Sequence, residues 1–580
     1  MFSPFSSRRR FVQGLGTATA ALALPRFATA ASSSTGASEG SRANSLTGPE
    51  FRLEIGELRV NFTGVPRIAT VVNGQLPAPL LRFREGEEVA IHVTNRLAER
   101  TSIHWHGLIV PADMDGVPGI SFHGIEPGAT FTYRFRVNQS GTYWYHAHSR
   151  FQEQVGLYGP IIVEPRNERH ATARDHVILL TDWTDTDPEA IYRRLKVHAG
   201  YYNFGKRTAG DLLRDAGNRG LRQALAERRM WGDMRMDPTD LADVSGYAYT
   251  YLMNGATPAA NWTALFSRGE RVRLRFINGA SMTYFDVRIP DLKMTVVAAD
   301  GQDIEPVSVD EFRIGAAEVY DVIVEPRDDR AYTIFAQAMD RSGYARGTLT
   351  PDSRLQAAVP MPDRREALTM GDMGMGHAAH SAGAPAADPH AGHQMPGANA
   401  APNHVPAESG RSVDMTASVP NTRLDDPGVG LRNNGRRVLT YADLHTIGGP
   451  IDAREPERDI ELHLTGHMER FLWSFNGQKF SDALPLRLRH GERLRIVLVN
   501  DSMMTHPIHL HGMWSEVESP DGGFQVRKHT VSVQPAQRLS YAVTADALGR
   551  WAYHCHLLYH MEAGMFREVI VEHMAQGSVS

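Results

Sequence analysis

The chain has 580 residues, a formal net charge of −5 at pH 7 and a single cysteine. This length exceeds what one hydrophobic core supports and indicates about three or four domains. The near-balance of charge gives no electrostatic reason to expect nucleic acid as a partner. One cysteine excludes an intrachain disulfide, so the fold must depend on ordinary hydrophobic cores.

The N-terminus has the features of an export signal. Arg8 and Arg9 form a twin-arginine pair, a short apolar run follows, and an A-x-A cleavage pattern ends at Ala30. The apolar run is too short to span a bilayer, and nothing later in the chain resembles a membrane span. We therefore predict that residues 1–30 are a twin-arginine signal peptide that directs the protein to the periplasm. The Ser/Gly/Ala-rich residues 31–48 are predicted to be disordered.

A unit repeated three times organises the rest of the chain. Each copy has Gly-Glu, then apolar residues at alternate positions, then Asn nine residues after the Gly. The copies are residues 86–95, 269–278 and 491–500. This alternation predicts a half-buried β-strand opened by a turn glycine. An Asn-Gly turn signal precedes each copy. The three signals are Asn73-Gly74, Asn254-Gly255 and Asn476-Gly477.

Three copies of one β-rich unit predict an all-β fold of three Greek-key β-sandwich domains. We place these domains at 50–165, 170–350 and 430–575. The second contains an insertion, residues 199–247, whose pattern predicts one or two amphipathic helices. Residues 364–428 are rich in Gly, Ala, Pro, His and Met, which predicts a flexible linker before the third domain.

Histidines occur at matching places in the first and third units. Each of these two units has one His-x-His nine residues after the repeat Asn and another in a later strand. The pairs are His104/His106 and His146/His148 in the first unit, and His509/His511 and His554/His556 in the third. The middle unit has Val287 and Ile289 at the first of these places and no histidine at the second.

These pairs predict a metal cluster between two domains. Residues i and i+2 of a strand project to the same face, so each His-x-His presents two imidazoles on one side of a sheet. The eight imidazoles can converge only if the first and third domains face each other. Eight neutral imidazoles cannot all bind one ion, so the cluster must be polynuclear. Imidazole-rich sites suit copper, zinc or iron.

The single cysteine lies in WAYHCHLLYHMEAGMF, residues 551–566. His506, Cys555 and His560, with Met565 as a weak axial ligand, form the ligand set of a blue copper centre. The alternative is a buried cysteine that acts as a small apolar residue. Cys555 projects to the opposite face from the histidines on either side of it. This arrangement gives electrons a short covalent path between the two sites.

The motifs HWHG, HAH, HPIHLHG and HCHLLYHMEAGM resemble the four copper motifs of the multicopper oxidases. The resemblance covers the mature chain and implies three cupredoxin-like domains and four copper ions. It also implies that a reductant gives up four electrons, one at a time, at a type 1 copper next to Cys555. Those electrons would pass through Cys555 to a trinuclear cluster, where O₂ becomes two waters.

The resemblance also divides the cluster histidines among three coppers. It implies type 2 copper at His104 and His509, one type 3 copper at His106, His146 and His556, and the other at His148, His511 and His554. Asp115 resembles the family's proton-relay aspartate, with a simple turn residue as the alternative. Many members carry a second acid directly after the last type 1 histidine. Here Met561 has that place and Glu562 follows it.

The reductant is predicted from features similar to those of the periplasmic copper-resistance members, the CopA/PcoA type. These features are the twin-arginine leader, ERRMWGDMRMDPTDL in the insertion, and the Met/His-rich linker. Thioethers and imidazoles suit copper, so residues 370–404 are expected to bind additional copper ions, with low-complexity filler as the alternative. The linker residues are Met370, Met373, Met375, Met395, His377, His380, His390, His393 and His404.

The sequence therefore predicts a periplasmic Cu(I) oxidase for copper resistance, which would also oxidise phenolic dyes. One alternative is a laccase-type phenol oxidase whose linker has no copper role. Another is a copper-sequestering protein in which oxidase turnover is secondary.

Overall fold

The computed structural model describes residues 45–172, 174–375, 410 and 412–573. The predicted leader at 1–30 lies outside the described residues. Strands dominate the described part of the chain, in which three β-sandwiches follow one another. None of the helices in this part combines the length and the hydropathy that a transmembrane helix requires. The predicted all-β class is confirmed.

Domain 1 packs a five-stranded sheet on a four-stranded sheet. Its strands are β1 (Ser45–Thr47), β2 (Glu50–Val60), β3 (Arg67–Val72), β4 (Leu80–Arg84), β5 (Glu88–Asn95), β6 (His104–His106), β7 (Thr130–Arg136), β8 (Gly141–His146) and β9 (Tyr158–Glu164). The strand orders are β1-β4-β9-β8-β6 and β3-β2-β5-β7. β1 falls within the segment predicted to be disordered, so that prediction is wrong at its end. The reason is that β1 pairs in parallel with β4 and Leu46 packs on the core.

Domain 2 repeats this architecture. Its strands are β10 (Arg174–Trp183), β11 (Thr250–Met253), β12 (Trp262–Leu265), β13 (Val272–Asn278), β14 (Phe285–Arg288), β15 (Met294–Ala299), β16 (Gln302–Val309), β17 (Glu311–Ile314), β18 (Val319–Val324), β19 (Tyr332–Ala338) and β20 (Tyr344–Thr350). The strand orders are β11-β10-β13-β18-β15-β16 and β12-β20-β19-β14-β17. In this domain the two neighbouring strands β14 and β19 correspond to β6 and β8.

Three α-helices lie between β10 and β11: α1 (Pro188–Val197), α2 (Ala209–Arg219) and α3 (Leu221–Asp233). The last two fall in the predicted insertion and confirm its helical character. α1 precedes the insertion and was missed. Its signal is local, because Asp187 caps the helix by accepting the N–H of Glu189, and Pro188 occupies the first helical position.

Domain 3 has the same two sheets. Its strands are β21 (Arg458–His467), β22 (Leu472–Phe475), β23 (Leu486–Arg489), β24 (Arg493–Asp501), β25 (His506–Leu510), β26 (Ser515–Glu518), β27 (Phe524–Lys528), β28 (Thr530–Val533), β29 (Arg538–Thr544), β30 (Gly549–Cys555) and β31 (Phe566–Glu572). The strand orders are β22-β21-β24-β29-β26-β27 and β23-β31-β30-β25-β28. A one-turn helix, α4 (Leu558–Glu562), joins β30 to β31.

The repeat strands β5, β13 and β24 each carry a buried asparagine at or next to the strand end: Asn95, Asn278 and Asn500. Each side-chain amide donates to two or three backbone carbonyls of the segments that follow. Each side-chain oxygen accepts a backbone N–H two residues on. The asparagine therefore fixes the loop that leads to β6, β14 or β25. The Asn-Gly turns are also present, with positive φ at both residues of each pair.

The described ends of the predicted linker are packed. Leu368, Met373, Met415 and Leu424 are all buried. The prediction of a flexible linker over 364–428 is therefore wrong at both ends, because these apolar side chains join the hydrophobic core. Met395 and the five linker histidines lie outside the described residues.

Candidate functional site

The histidine pairs lie on neighbouring antiparallel strands in domains 1 and 3. His104 stands opposite His146 across β6 and β8, and His509 stands opposite His554 across β25 and β30. Opposite residues of an antiparallel pair project to the same face of the sheet. Each of the two domains therefore presents one histidine-bearing face, as the sequence predicts.

Three imidazoles from the two faces form one close group. His148 Nε2 of domain 1 lies 3.3 Å from His554 Nε2 of domain 3. His511 Nε2 lies 3.1 Å from the same atom. These are the three residues predicted to hold one type 3 copper. Such short separations between ring nitrogens are those expected of ligands aimed at one point.

The other five cluster histidines surround this group. His146 Nε2 lies 3.4 Å from His556 Nε2, and the ring centroids of His106 and His556 are 4.9 Å apart. The ring centroids of His104 and His509, the predicted type 2 ligands, are 5.7 Å apart. The structure thus brings together all eight histidines, four from each domain.

Burial favours the neutral form of seven of the eight cluster imidazoles. It lowers the pKa of six of these rings well below the usual value of about 6.5, and neighbouring imidazoles lower it further. The rings so affected are His106, His146, His148, His509, His511 and His556. Burial also lowers the pKa of His554 to about 3. A neutral imidazole keeps a lone pair on one nitrogen, which is the form that binds a metal.

Four buried ring nitrogens of the cluster have no hydrogen-bond partner among the described residues. They are Nε2 of His104 and His509, and Nδ1 of His106 and His556. Buried polar atoms normally have a partner, so this grouping needs an explanation. A metal ion held by imidazole nitrogens supplies one. The donor set fits copper, which imidazoles bind well.

Asp115 contacts one ligand from each domain. Its backbone carbonyl accepts the Nδ1–H of His104 at 2.8 Å, and its Oδ2 accepts the Nδ1–H of His511 at 2.9 Å. Metal-binding imidazoles usually donate their second N–H to a carbonyl or carboxylate, which fixes the tautomer. These contacts leave Nε2 of both rings for a metal. The predicted relay aspartate is therefore buried against the cluster.

Sequence reasoning missed the partners of two other cluster ligands. His146 Nδ1 lies 2.7 Å from Glu153 Oε2, and burial raises the pKa of this glutamate. His509 Nδ1 donates to the backbone carbonyl of His529 at 2.6 Å. Glu153 lies in an irregular loop and His529 lies between two strands, so neither position has a periodic signal.

The predicted type 1 residues form a second, separate group. Cys555 Sγ lies 3.5 Å from His506 Nδ1 and 3.8 Å from His560 Nδ1, and these two nitrogens are 3.2 Å apart. All three side chains are fully buried. Burial raises the pKa of the Cys555 thiol, so it needs a metal to become a thiolate. Met565 is also buried, and its backbone pairs with Cys555 and His560.

The outer nitrogens of the type 1 histidines are fixed by two residues that the sequence did not indicate. His506 Nε2 lies 2.7 Å from Ser502 Oγ. His560 Nε2 donates to Asp243 Oδ2 at 2.6 Å, and the ring stacks on Trp473 with centroids 3.9 Å apart. Asp243 comes from the domain 2 insertion, is fully buried, and its Oδ1 has no hydrogen-bond partner among the described residues.

Separate cavities reach the two groups. One of about 440 Å³ opens onto His148 and is also lined by Glu562 and Phe566. A second, of about 320 Å³, is lined in part by Met339 and Met503. A small third cavity shares Leu241, Met339 and Thr505 with the second, and it extends to Asp243 beside the type 1 group.

Comparisons with known proteins agree with this geometry. Three multicopper oxidase family profiles match residues 54–168, 174–353 and 453–575. Copper resistance protein A of Escherichia coli is 56% identical, with 98% of this chain and 99% of that protein aligned. Multicopper oxidase MmcO of Mycobacterium tuberculosis is 31% identical, with 87% and 83% aligned.

Solved structures show the same fold. Fet3p, described as a multicopper oxidase that functions in iron import, aligns with a TM-score of 0.63 at 19% identity, over 91% of this chain and 90% of that one. A laccase from Botrytis aclada aligns with a TM-score of 0.61 at 21% identity, over 93% and 89%. These similarities support the interpretation of the three β-sandwiches as cupredoxin-like domains.

Proposed function

Because the chain belongs to the multicopper oxidase family and is a copper-dependent oxidoreductase, we propose that it oxidises Cu(I) with O₂ and serves copper resistance. The overall reaction converts four Cu(I), one O₂ and four protons into four Cu(II) and two waters. Its 56% identity to a copper resistance protein supports the physiological role.

Four copper ions would be held by the two groups of ligands. The type 1 ion would be held by His506, Cys555 and His560 with Met565, the type 2 ion by His104 and His509, and the type 3 ions by His106, His146 and His556 and by His148, His511 and His554. Two of these sets, His506/Cys555/His560 and His148/His511/His554, have potential ligand atoms that all lie within 4.8 Å of one another. Bound copper supplies one-electron redox chemistry that couples four single-electron oxidations to the reduction of O₂ to water. The protein positions the ligands and controls access.

The observation that carries this proposal is the position of Cys555. Its side chain belongs to the type 1 group, while its sequence neighbours His554 and His556 belong to the cluster. The backbone of three consecutive residues therefore joins the two groups covalently. A protein that only stored copper would have no need for this link.

We also propose that Asp115 acts in the reaction, in addition to fixing the tautomers of His104 and His511. Its carboxylate accepts the N–H of His511 and lies 3.3 Å from His104 Nδ1, so it is close to ligands of two different coppers. A carboxyl group at this place can hold a proton next to the site where O₂ is reduced.

The route to the type 1 group supports Cu(I) as reductant. Three methionines, Met282, Met339 and Met504, are among the residues that line the small cavity beside Asp243. Thioethers select Cu(I). Asp243 Oδ1, which has no hydrogen-bond partner in the described part of the chain, adds an oxygen donor, and the other oxygen of this carboxylate accepts the N–H of His560. A phenol gains nothing from these sulfur atoms.

Steady-state oxidation of Cu(I) and of a phenol tests this proposal at matched copper loading. Met339→Leu keeps the volume and removes the sulfur. We expect kcat/KM for Cu(I) to fall about tenfold, which corresponds to about 1.4 kcal/mol, while phenol oxidation is unchanged. Met294→Leu, in the core of domain 2, is the matched control. Equal losses for both substrates would favour the laccase-type alternative.

The Met/His-rich linker is proposed to bind additional copper. The test replaces Met395 with Leu and the five linker histidines with Gln, so that chain length is unchanged. If copper tolerance falls while Cu(I) turnover is retained, the linker sequesters copper. If both are unchanged, the linker has no copper role.

We also propose export to the periplasm by the twin-arginine route. The support is the Arg8-Arg9 pair and the apolar run that follows it. Replacing both arginines with lysine should retain the precursor in the cytoplasmic fraction. Normal processing of that variant would exclude this route.

A further inference from the structure

Lys528, His529 and Thr530 form a segment where the three domains meet, here called the junction segment. It belongs to domain 3 and runs from the end of β27 to the start of β28. All three residues are buried. The segment contacts Asp300 of domain 2 and one predicted copper ligand from each of the other two domains.

The first of these ligands is His106 of domain 1. Its Nε2 lies 3.2 Å from His529 Nδ1 and 3.1 Å from Thr530 Oγ1, whereas its Nδ1 is buried with no hydrogen-bond partner among the described residues. If Nε2 carries the proton and donates to these two acceptors, the lone pair is on Nδ1. Close approach depends on Gly107, since a Cβ there would lie 2.4 Å from His529 Cδ2.

The second ligand is His509 of domain 3. Its Nδ1–H donates to the backbone carbonyl of His529 at 2.6 Å, and its Nε2 has no hydrogen-bond partner within the ranges that the structure describes. His529 therefore fixes two ligands through two different groups. Its ring acts on His106 and its carbonyl acts on His509.

Asp300 of domain 2 fixes the backbone of the junction segment. Its Oδ2 accepts the N–H of His529 at 3.2 Å and the N–H of Thr530 at 3.1 Å. Lys528 Nζ lies 3.1 Å from this carboxylate and 3.1 Å from Glu318 Oε1, also of domain 2. Opposite charges buried together offset part of their desolvation cost.

We propose that the junction segment, held by Asp300, positions His106 and His509 and selects the nitrogen that each presents to copper: Nδ1 of His106 and Nε2 of His509. His529 and Asp300 are positioning residues. Domain 2 thereby shapes the cluster although its strands β14 and β19 carry no histidine. The proposal rests on the proposed function, since it assumes copper at the cluster.

Copper retention by the full-length, copper-loaded protein tests this role. His529→Leu removes one of the two acceptors for His106, whereas His529→Gln keeps a side-chain oxygen in its place. Loss of a partner behind a metal ligand typically weakens metal binding about 10- to 100-fold. We expect His529→Leu to lose cluster copper to a chelator faster by this factor, with an altered electron paramagnetic resonance spectrum. His529→Gln should restore most of the retention, and the blue band of the type 1 site should be unchanged in both.

Asp300→Asn tests the contribution of domain 2. Its matched control is Asp286→Asn, a fully buried carboxylate of domain 2 paired with Arg313 and Arg341. We expect Asp300→Asn to alter cluster copper binding and Asp286→Asn to affect stability only.

Three outcomes would overturn the positioning role. They are wild-type copper retention in His529→Leu, equal impairment in the Leu and Gln variants, and equal copper loss in Asp300→Asn and Asp286→Asn. Failure of the wild-type protein to bind cluster copper would instead refute the proposed function.

Discussion

The three domains share one pair of neighbouring antiparallel strands, but the side chains that face each other across this pair differ between the domains. In domains 1 and 3 histidines stand opposite each other, whereas in domain 2 Val287 of β14 stands opposite Ala336 of β19. All these positions are buried. The sandwich therefore forms equally well with apolar side chains at these places. Buried imidazoles with unpaired nitrogens add nothing to a core, so their presence in two domains indicates a role outside folding.

The largest effect is expected from substitution of Cys555, the residue by which domain 3 differs from domain 1 at an equivalent strand position. Domain 1 has Ala147 where domain 3 has Cys555. Cys555→Ser should abolish the blue colour and all oxidase turnover, because the thiolate ligand and the covalent path are lost together. The measurement is the visible spectrum with steady-state O₂ consumption, and copper content should show the three cluster ions retained. A variant that stays blue would refute the type 1 assignment.

Two single substitutions compare a predicted copper ligand of domain 1 with the apolar residue at the equivalent position of domain 2. His104→Ala should lose type 2 copper and reduce O₂ consumption at least about 100-fold, since it removes a direct ligand rather than a supporting one. Val287→Ala, at the same place in domain 2, should leave copper content unchanged and lower the free energy of unfolding by about 1.5–3 kcal/mol. Elemental analysis and urea unfolding measure the two effects. Copper loss in Val287→Ala would mean that copper binding also depends on the core packing of domain 2.

The buried imidazoles should also make domains 1 and 3 sensitive to acid. Burial lowers the pKa of these rings below the unfolded value of about 6.5, so unfolding takes up protons below that pH. The free energy of unfolding of the copper-free protein should therefore fall as pH drops below about 6.5, by at most about 1.4 kcal/mol per pH unit for each ring.

Hydrogen exchange at pH 7 and pH 5 locates this effect. The strands β6, β8, β25 and β30 should lose protection first, while β14 and β19 of domain 2 keep theirs. Uniform loss across the three domains would contradict the explanation. Copper loading should reduce the difference, because a metal holds the ring lone pairs.

Much of this comparison could be predicted from the sequence. The repeat strands, the Asn-Gly turns and the matched His-x-His spacing are local patterns, and the period of a strand determines which residues share a face. The structure brings together the eight cluster histidines and the Cys555 group as those patterns predict. Their copper roles stay predictions.

The partners of the ligands could not be predicted in this way. Asp243 is 317 residues from His560, and it reaches the type 1 group only because the insertion of domain 2 packs on domain 3. His529 acts on His509 through a backbone carbonyl, which has no sequence signature. The linker ends were predicted to be flexible from composition, but burial of Leu368 and Met373 depends on a surface that composition does not reveal.

The smallest expected effect is a shift of the blue band, and it distinguishes an asparagine that supports only the fold from one that also supports the type 1 site. Asn95, Asn278 and Asn500 make equivalent bonds in the three domains, so each change to Ala should cost a similar amount, about 1–3 kcal/mol, by leaving buried carbonyls unpaired. Asn500→Ala alone should also shift the blue band. The reason is that Asn500 accepts a hydrogen bond from Ser502, whose Oγ contacts His506 Nε2. Urea unfolding measures the stability loss in the three variants, and visible spectra measure the blue band. An equal band shift in Asn278→Ala would show that the band responds to a general loss of stability rather than to the contact between Ser502 and His506.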